Sequence, residues 1–339
     1  MLTKNYTKAK LAHLPTPLEL MPNLTKKFKG PNIYIKRDDA TGLAFGGNKV
    51  RQLEYYVGRA MDLNADALLT TGAVQSNHVR QTVAAARKMG WHVEVQLEHR
   101  VDTHSKEYQE SGNPYLNRLM GAKIHTYDVG EDEDGADKAM YNRAAELKEE
   151  GYNPFVIPLS ATDQVPWGSL GYVECLEELY LQSQARGLKI DAIVLGSGSA
   201  NTHAGVMAGV VALGLDIPVY GFCVRRNQEA QTDRVEVKTR KVLKMLDIDE
   251  EALKPGMVKC FDWVLAPGYG VPSEKVVEAI HTTAFEEGIL LDPTYTGKAM
   301  CGLFGMIEEG KFKDTDNVVF IHTGGTPSLF GYPELIEGK

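Results

Sequence analysis

The sequence has few of the features that would send it to a disulfide framework, a membrane or a nucleic acid. Only four cysteines occur in 339 residues, Cys175, Cys223, Cys260 and Cys301. They are far apart, with no Cys-x-x-Cys and no metal-like pairing with histidine, so no metal site is expected. Each reads as a small buried hydrophobe, which suits a reducing cytoplasm. No apolar run approaches membrane-spanning length, and Met1 to Lys10 lacks the apolar stretch of a signal peptide. Positive charge is not in excess: the net charge is −8, which argues against a nucleic-acid partner. There is no internal repeat and no low-complexity segment. Gly-x-x-x-x-Gly-Lys-Ser/Thr is absent, which leaves a P-loop unsupported. Gly-x-Gly-x-x-Gly is also missing its third glycine, since Asn201 stands where it belongs after Gly196 and Gly198. A dinucleotide site is therefore disfavoured.

What remains is an ordinary globular composition, 43% hydrophobic and 24% charged, long enough for two domains or one large one. Strand and helix patterns alternate. Strands are expected at 32–36, 66–71, 92–97, 123–127, 155–158, 190–195, 218–224 and 318–322. Helices are expected at 48–61, 79–89, 113–119, 136–150, 169–186, after the Gly196 to Gly205 turn as far as about 213, and at 229–246, 274–287 and from about 292. This predicts an α/β fold with largely parallel sheets and helices on both faces. Open parallel sheets bind ligands at the carboxyl ends of their strands, so the turns at Gly72, Gly196 and Gly324 should meet at one cleft. The acidic run Glu131 to Gly135 reads as a solvated loop.

Lys49 is out of place. It follows Gly46-Gly47-Asn48 at the mouth of a helix, where the dipole disfavours a cation. Held near those N–H groups it should lose proton affinity and become a better amine nucleophile. Gly196 to Thr202 lies between a strand and a helix, where backbone N–H groups and hydroxyls can cradle a phosphate. Gln75-Ser76-Asn77-His78 gathers polar groups at another such turn and could grip a carboxylate. Tyr269 and Tyr295 each sit in a Gly/Pro-bounded loop. A lysine nucleophile with a phosphate cradle suggests pyridoxal phosphate, whose aldehyde needs the one and whose phosphate needs the other.

The residues that carry these signals also carry a resemblance. Lys36 to Asp39, Gly46 to Lys49, Gln75 to Gln81, Gly198 to Ala200, Thr202 to Gly205, Pro267 to Pro272, Asp292-Pro293, Tyr295 to Met300 and His322 to Gly325 match in order. Over roughly Leu11 to Tyr332 the chain resembles the D-cysteine desulfhydrase / 1-aminocyclopropane-1-carboxylate (ACC) deaminase family, which also holds L-cysteate sulfo-lyase. The resemblance implies the tryptophan-synthase-β-like fold type II of pyridoxal-phosphate enzymes, with two open parallel-type sheet domains. Residues 1–54 and 166–339 would form the large cofactor-binding domain and 55–165 the small one. It implies a homodimer acting on a small amino acid.

The resemblance further implies roles. Lys49 would carry the cofactor as a Schiff base and then act as base on the substrate α-carbon. Asn77 would bond the ring hydroxyl, and Gly198, Ser199, Ala200, Asn201 and Thr202 would hold the phosphate. Thr323 would face the pyridine nitrogen, and Tyr295 would lie against the cofactor. Ser76, Asn77 and His78 would hold the substrate carboxylate, with Tyr269 nearby. Loss of the β-substituent and hydrolysis would then give pyruvate and ammonia.

Two positions bear on substrate. ACC deaminases place Glu after the Tyr295 match and Leu at the Thr323 match; here Thr296 and Thr323 stand there, as in desulfhydrases. D-cysteine is thus expected first, L-cysteate second and ACC third. The chain also departs from its relatives. Ser160 to Trp167 replaces a shorter Gly-Gly-Ser-like run near the substrate carboxylate, making Thr162 and Trp167 the expected substrate contacts. Asn201 replaces a common glycine or serine. Arg225-Arg226 reads as a solvated pair, which would favour a sulfonate if it faced the cleft instead.

Overall fold

The computed structural model describes residues 1–103, 105–130, 132–159 and 164–337. The first half runs β1 (Leu18–Leu20), α1 (Pro22–Phe28), β2 (Asn32–Lys36), α2 (Asn48–Asp62), β3 (Ala67–Ala73), α3 (Asn77–Met89), β4 (His92–Glu98), α4 (Lys106–Glu110), α5 (Asn113–Leu119), β5 (Lys123–Tyr127), α6 (Glu133–Glu149) and β6 (Pro154–Ile157). The second runs α7 (Leu170–Ala185), β7 (Ala192–Ser197), α8 (Asn201–Ala212), β8 (Val219–Cys223), α9 (Gln228–Met245), β9 (Lys259–Phe261), α10 (Glu274–Glu287), α11 (Thr296–Glu308), β10 (Asn317–Ile321) and α12 (Glu334–Glu337).

The strands form two sheets. One has six strands in the order β1-β2-β10-β7-β8-β9, parallel except for β1 against β2. The other has four, β5-β4-β3-β6, all parallel. The chemistry of the strands explains this. All of β3 is buried and β7 nearly so, as parallel strands covered on both faces must be. In the larger sheet Ala192, Val194, Val318 and Phe320 pack into one core with Ala299 and Leu303 of α11. The alternate residues Ile193, Leu195, Val319 and Ile321 pack into a second core with Leu176 of α7 and Val206 of α8. That two-residue period puts helices on both faces.

Sequence patterning finds the long elements to within a few residues and misses β1, α1, α4, β9 and α12. Each of these has seven residues or fewer, too short for a periodicity. The acidic run is corrected at Asp132 and Glu133, Glu131 lying outside the described residues. Asp132 caps α6 by accepting the Gly135 N–H at 2.9 Å, and Glu133 turns inward onto Arg225 and Arg226. It is an ion-pair partner rather than a solvated loop, because two guanidiniums from beyond β8 meet it there.

A buried ion network sets the direction of α2. Arg51 donates to both carboxylate oxygens of Asp38, at 2.9 and 3.0 Å, and to Glu178 of α7 at 2.9 Å. Lys36, fully buried at the end of β2, also meets Glu178. These contacts pin α2 against α7 and so fix where its first turn points. No described helix is long and apolar enough to cross a membrane. No described cluster of His, Cys, Asp and Glu could hold a metal ion.

Candidate active site

Helix α2 begins without a side-chain cap. Its first N–H, from Asn48, goes to the carbonyl of Thr323 just past β10, at 3.0 Å. The two glycine pairs make this approach possible: a Cβ on Gly324 would stand 2.7 Å from the Cα of Gly47. Lys49 follows and projects into the cleft, where its one side-chain hydrogen bond among the described residues is a long one to Gln52 Oε1, 3.4 Å. No described carboxylate pairs with it. Burial therefore lowers its pKa from 10.5 to about 8.

One wall is the turn from β7 to α8. Ala200, in the left-handed region at φ 74°, swings the chain so that Gly198, Ser199 and Ala200 line the cleft. Their N–H groups meet no acceptor among the described residues. Helix α8 adds first-turn N–H groups that have no partner within the helix. Thr202 Oγ1 accepts bonds from Asn48 Nδ2 and Gln52 Nε2, both 2.9 Å, which leaves its own proton to donate. Donors without acceptors at a helix start fit a phosphate. Asn201 departs from expectation. Its side chain is turned to the back of the loop, bonded to Tyr56 and Lys238, so only its backbone can serve the cleft.

The opposite wall is the turn from β3 to α3. Ser76 Oγ caps α3 by accepting the Val79 N–H, and Gly72 makes room for it, since a Cβ there would lie 2.6 Å from that oxygen. Asn77 Oδ1 accepts from Arg80 at 2.8 Å and Asn113 at 3.1 Å, so its amide N–H is the group left for a ligand. The Thr70 hydroxyl donates to the Ile157 carbonyl, so His78 Nε2 must be the donor in its 3.0 Å contact with Thr70. Burial, and then the charge of Lys49, push His78 down to about 3. The imidazole is neutral and committed to Thr70. A carboxylate here can be met by the Ser76 hydroxyl and the N–H groups of Asn77 and His78.

Tyr269 and Tyr295 complete the site. Their hydroxyls share a 2.8 Å hydrogen bond and their rings meet edge to face. Burial raises the pKa of both, so both are neutral phenols at pH 7. Tyr295 is held by Asp292, whose carboxylate accepts the N–H groups of Thr294, Tyr295 and Thr296. Thr323 lines the same cleft, together with the turn from β7 to α8.

The cleft thus brings together Lys49, Ser76, Asn77, His78, Gly198, Ser199, Ala200, Thr202, Tyr269, Tyr295 and Thr323. Trp167 does not join them. It sits between Tyr6 and the Arg59 guanidinium, on a separate surface cavity with Tyr56 and Tyr141. Thr162 lies outside the described residues. Arg225 and Arg226 are not a solvated pair: both line the substrate side of the cleft with Arg100 and Glu133. Sequence reasoning also missed Arg80, fully buried, which ties Asn77 to the carbonyl of Gly46 at 2.9 Å. Its place in the matched motif was the only available signal.

A lysine amine sharing a cleft between parallel sheets with a turn whose N–H groups have no described protein acceptor fits a pyridoxal-phosphate-dependent enzyme of fold type II. A model of the family "Pyridoxal-phosphate dependent enzyme" matches residues 9–324. D-cysteine desulfhydrase of Serratia proteamaculans is 40% identical over 94% of this chain and 93% of its own length. That of Salmonella paratyphi C is 40% identical over 96% of both. A crystal structure of an ACC deaminase homologue superposes with a TM-score of 0.88 at 36% identity, covering 99% of this chain and 97% of the other. O-ureido-L-serine synthase shares the fold, with a TM-score of 0.68 at 15% identity. The chain belongs to the D-cysteine desulfhydrase / ACC deaminase family of pyridoxal-phosphate-dependent enzymes.

Proposed function

We propose that this enzyme is a β-eliminating lyase that converts D-cysteine and water to pyruvate, hydrogen sulfide and ammonia. The observation that carries the reading is one cleft that the Lys49 amine shares with the Gly198–Thr202 turn and the Ser76–His78 turn. The 40% identity to two D-cysteine desulfhydrases supports the choice of substrate.

Bound pyridoxal phosphate supplies an aldehyde for an amine and a ring that accepts the electron pair left on the substrate α-carbon. The residues divide the remaining work. The N–H groups of Gly198 to Thr202 and the Thr202 hydroxyl would hold the phosphate, and Asn77 would donate to the ring hydroxyl. Thr323 would meet the ring nitrogen with a neutral hydroxyl, which would leave that nitrogen less protonated than a carboxylate does. Such a setting suits a substrate whose β-substituent leaves readily. Ser76 and the first turn of α3 orient the substrate carboxylate. Lys49 Nζ is the amine that would hold the aldehyde, and as a free amine it would serve as the base for the α-proton. The Tyr269–Tyr295 hydroxyl pair stands where a proton can be passed to the departing sulfur. We also propose the division into a large domain, 1–54 and 166–339, and a small one, 55–165, and assembly as a homodimer.

A second reading has one observation behind it. Arg225 and Arg226 line the cleft, and a sulfonate on the β-carbon would complement them. L-cysteate is then the substrate. The test is a panel: pyruvate release from D-cysteine, L-cysteine, D-serine and L-cysteate, and 2-oxobutanoate release from ACC. D-cysteine is expected to turn over fastest, and Lys49→Ala to lose both turnover and the visible absorption band of the bound cofactor. Preference for L-cysteate would replace the first reading with the second; reaction with ACC alone would overturn both.

A further inference from the structure

The phosphate turn is held from behind by one face of α9. Gln231 Nε2 donates to Ser197 Oγ at 2.8 Å and to the Gly198 carbonyl at 3.1 Å. Arg234 donates to the Ser199 carbonyl at 3.4 Å and Lys238 to Asn201 Oδ1 at 2.9 Å. Positions 231, 234 and 238 are spaced by three and four, so they form a single stripe on the helix. From the segment before α9, Arg226 reaches the Gly198 carbonyl at 3.3 Å. These donors take the oxygens of the turn, and the N–H groups are left facing the cleft.

Lys238 is the unusual member. It is 4% exposed, and its recorded bond is to a neutral amide. No described carboxylate forms an ion pair with it. Arg234, Lys49 and Arg226 add positive charge nearby, and the acid that acts on it, Glu133, is already engaged by Arg225 and Arg226. Burial, and then the charges of Arg234 and Lys49, hold the Lys238 amine well below the ordinary lysine pKa, so an anion arriving at the turn is the counter-charge that would let it take up a proton. The only donor-rich turn it touches is the one that lines the cleft.

We propose that Lys238 is a positioning residue for the cofactor phosphate: acting through Asn201, it supplies from behind the turn the positive charge that the turn itself lacks. The Gly198–Thr202 segment contains no lysine or arginine, and Lys49 is reserved for the aldehyde. The charge of a bound phosphate would be balanced through one intervening residue, whose side chain meets Lys238 and whose backbone serves the cleft, rather than by direct contact. The inference rests on the reading of Gly198–Thr202 as the phosphate cradle.

The experiment compares cofactor-stripped full-length wild type with Lys238→Met, which keeps the bulk of the chain and removes the charge. The dissociation constants of pyridoxal phosphate and of pyridoxal, which lacks the phosphate, are measured by absorbance. In wild type pyridoxal phosphate should bind more tightly than pyridoxal. In Lys238→Met the affinity for pyridoxal phosphate should fall about tenfold or more while that for pyridoxal holds. Inorganic phosphate, used as a competitor, should weaken in parallel. Thermal melting of the cofactor-free protein reports folding, and Lys238→Gln is the second variant if methionine is not accommodated. A wild type that does not discriminate the two ligands would sink the cradle itself. Discrimination that survives in both variants, or an equal loss for both ligands, would overturn the role of Lys238 alone.

Discussion

At the scale of single residues, the cleft works by leaving particular groups unspent. Asn77 has its acceptor oxygen occupied twice and keeps its N–H groups; Thr202 has its oxygen occupied twice and keeps its proton. His78 has spent its Nε2 proton on Thr70 and stays neutral. Lys49 is the most consequential case. With a pKa near 8 instead of 10.5, about a tenth of the amine is neutral at pH 7, against roughly one part in three thousand for a free lysine. The lowered value favours the deprotonated form above it. The rate at which cofactor-stripped protein captures pyridoxal phosphate should therefore rise about tenfold per pH unit up to about pH 8 and level off beyond. A stopped-flow pH series reads this directly; a rate still climbing at pH 10 would mean that burial does not depress the amine.

At the scale of elements, α2 is the part whose placement matters most, because its first turn aims Lys49. The Arg51–Asp38–Glu178 network holds it. Burial alone would raise the Asp38 carboxyl, and the Arg51 charge and hydrogen bonds more than offset that, so its pKa falls. Arg51→Met would leave Asp38 buried without that partner. The expected loss at pH 7 is about 3–5 kcal/mol in urea unfolding. A depressed carboxyl contributes stability above its unfolded pKa, near 3.9, and loses it as pH falls through the folded value. The gap between wild type and variant should thus narrow as the pH is brought below about 4. A gap unchanged from pH 7 to pH 3 would show that the pair is not what holds α2.

Across the whole molecule, the site is assembled from both sheets. The four-stranded sheet brings Ser76, Asn77 and His78; the six-stranded one brings the phosphate turn and Thr323, with α2 supplying Lys49 between them. Glu133 of α6 closes the substrate side by pairing with Arg225 and Arg226, which follow β8. Light scattering of the purified enzyme should give twice the 37.4 kDa mass of the chain if the proposed homodimer forms. A mass of one chain at micromolar concentration would remove that proposal.

Much of this was legible in the residues themselves. Alternating strand and helix patterns, and glycine- and hydroxyl-rich turns at strand ends, are local chemistry. They foretold the α/β fold, the turns that meet at the cleft, and Lys49 as the residue out of place. Charge pairing was not legible, because it depends on what distant segments bring. Glu133 and Arg225 are 92 residues apart, and Asn201 and Lys238 are 37 apart. No window of sequence shows that an acidic run will face two arginines, or that a lysine on a charged helix will be buried behind a turn. Trp167 fails for the same reason: its sequence neighbours point to the cleft, and packing against Tyr6 and Arg59 carries it elsewhere. The sequence by itself determined which turns could bind an anion and which amine could react. The tertiary structure decided which charges those groups would feel, since burial and pairing exist only after the sheets have closed on one another.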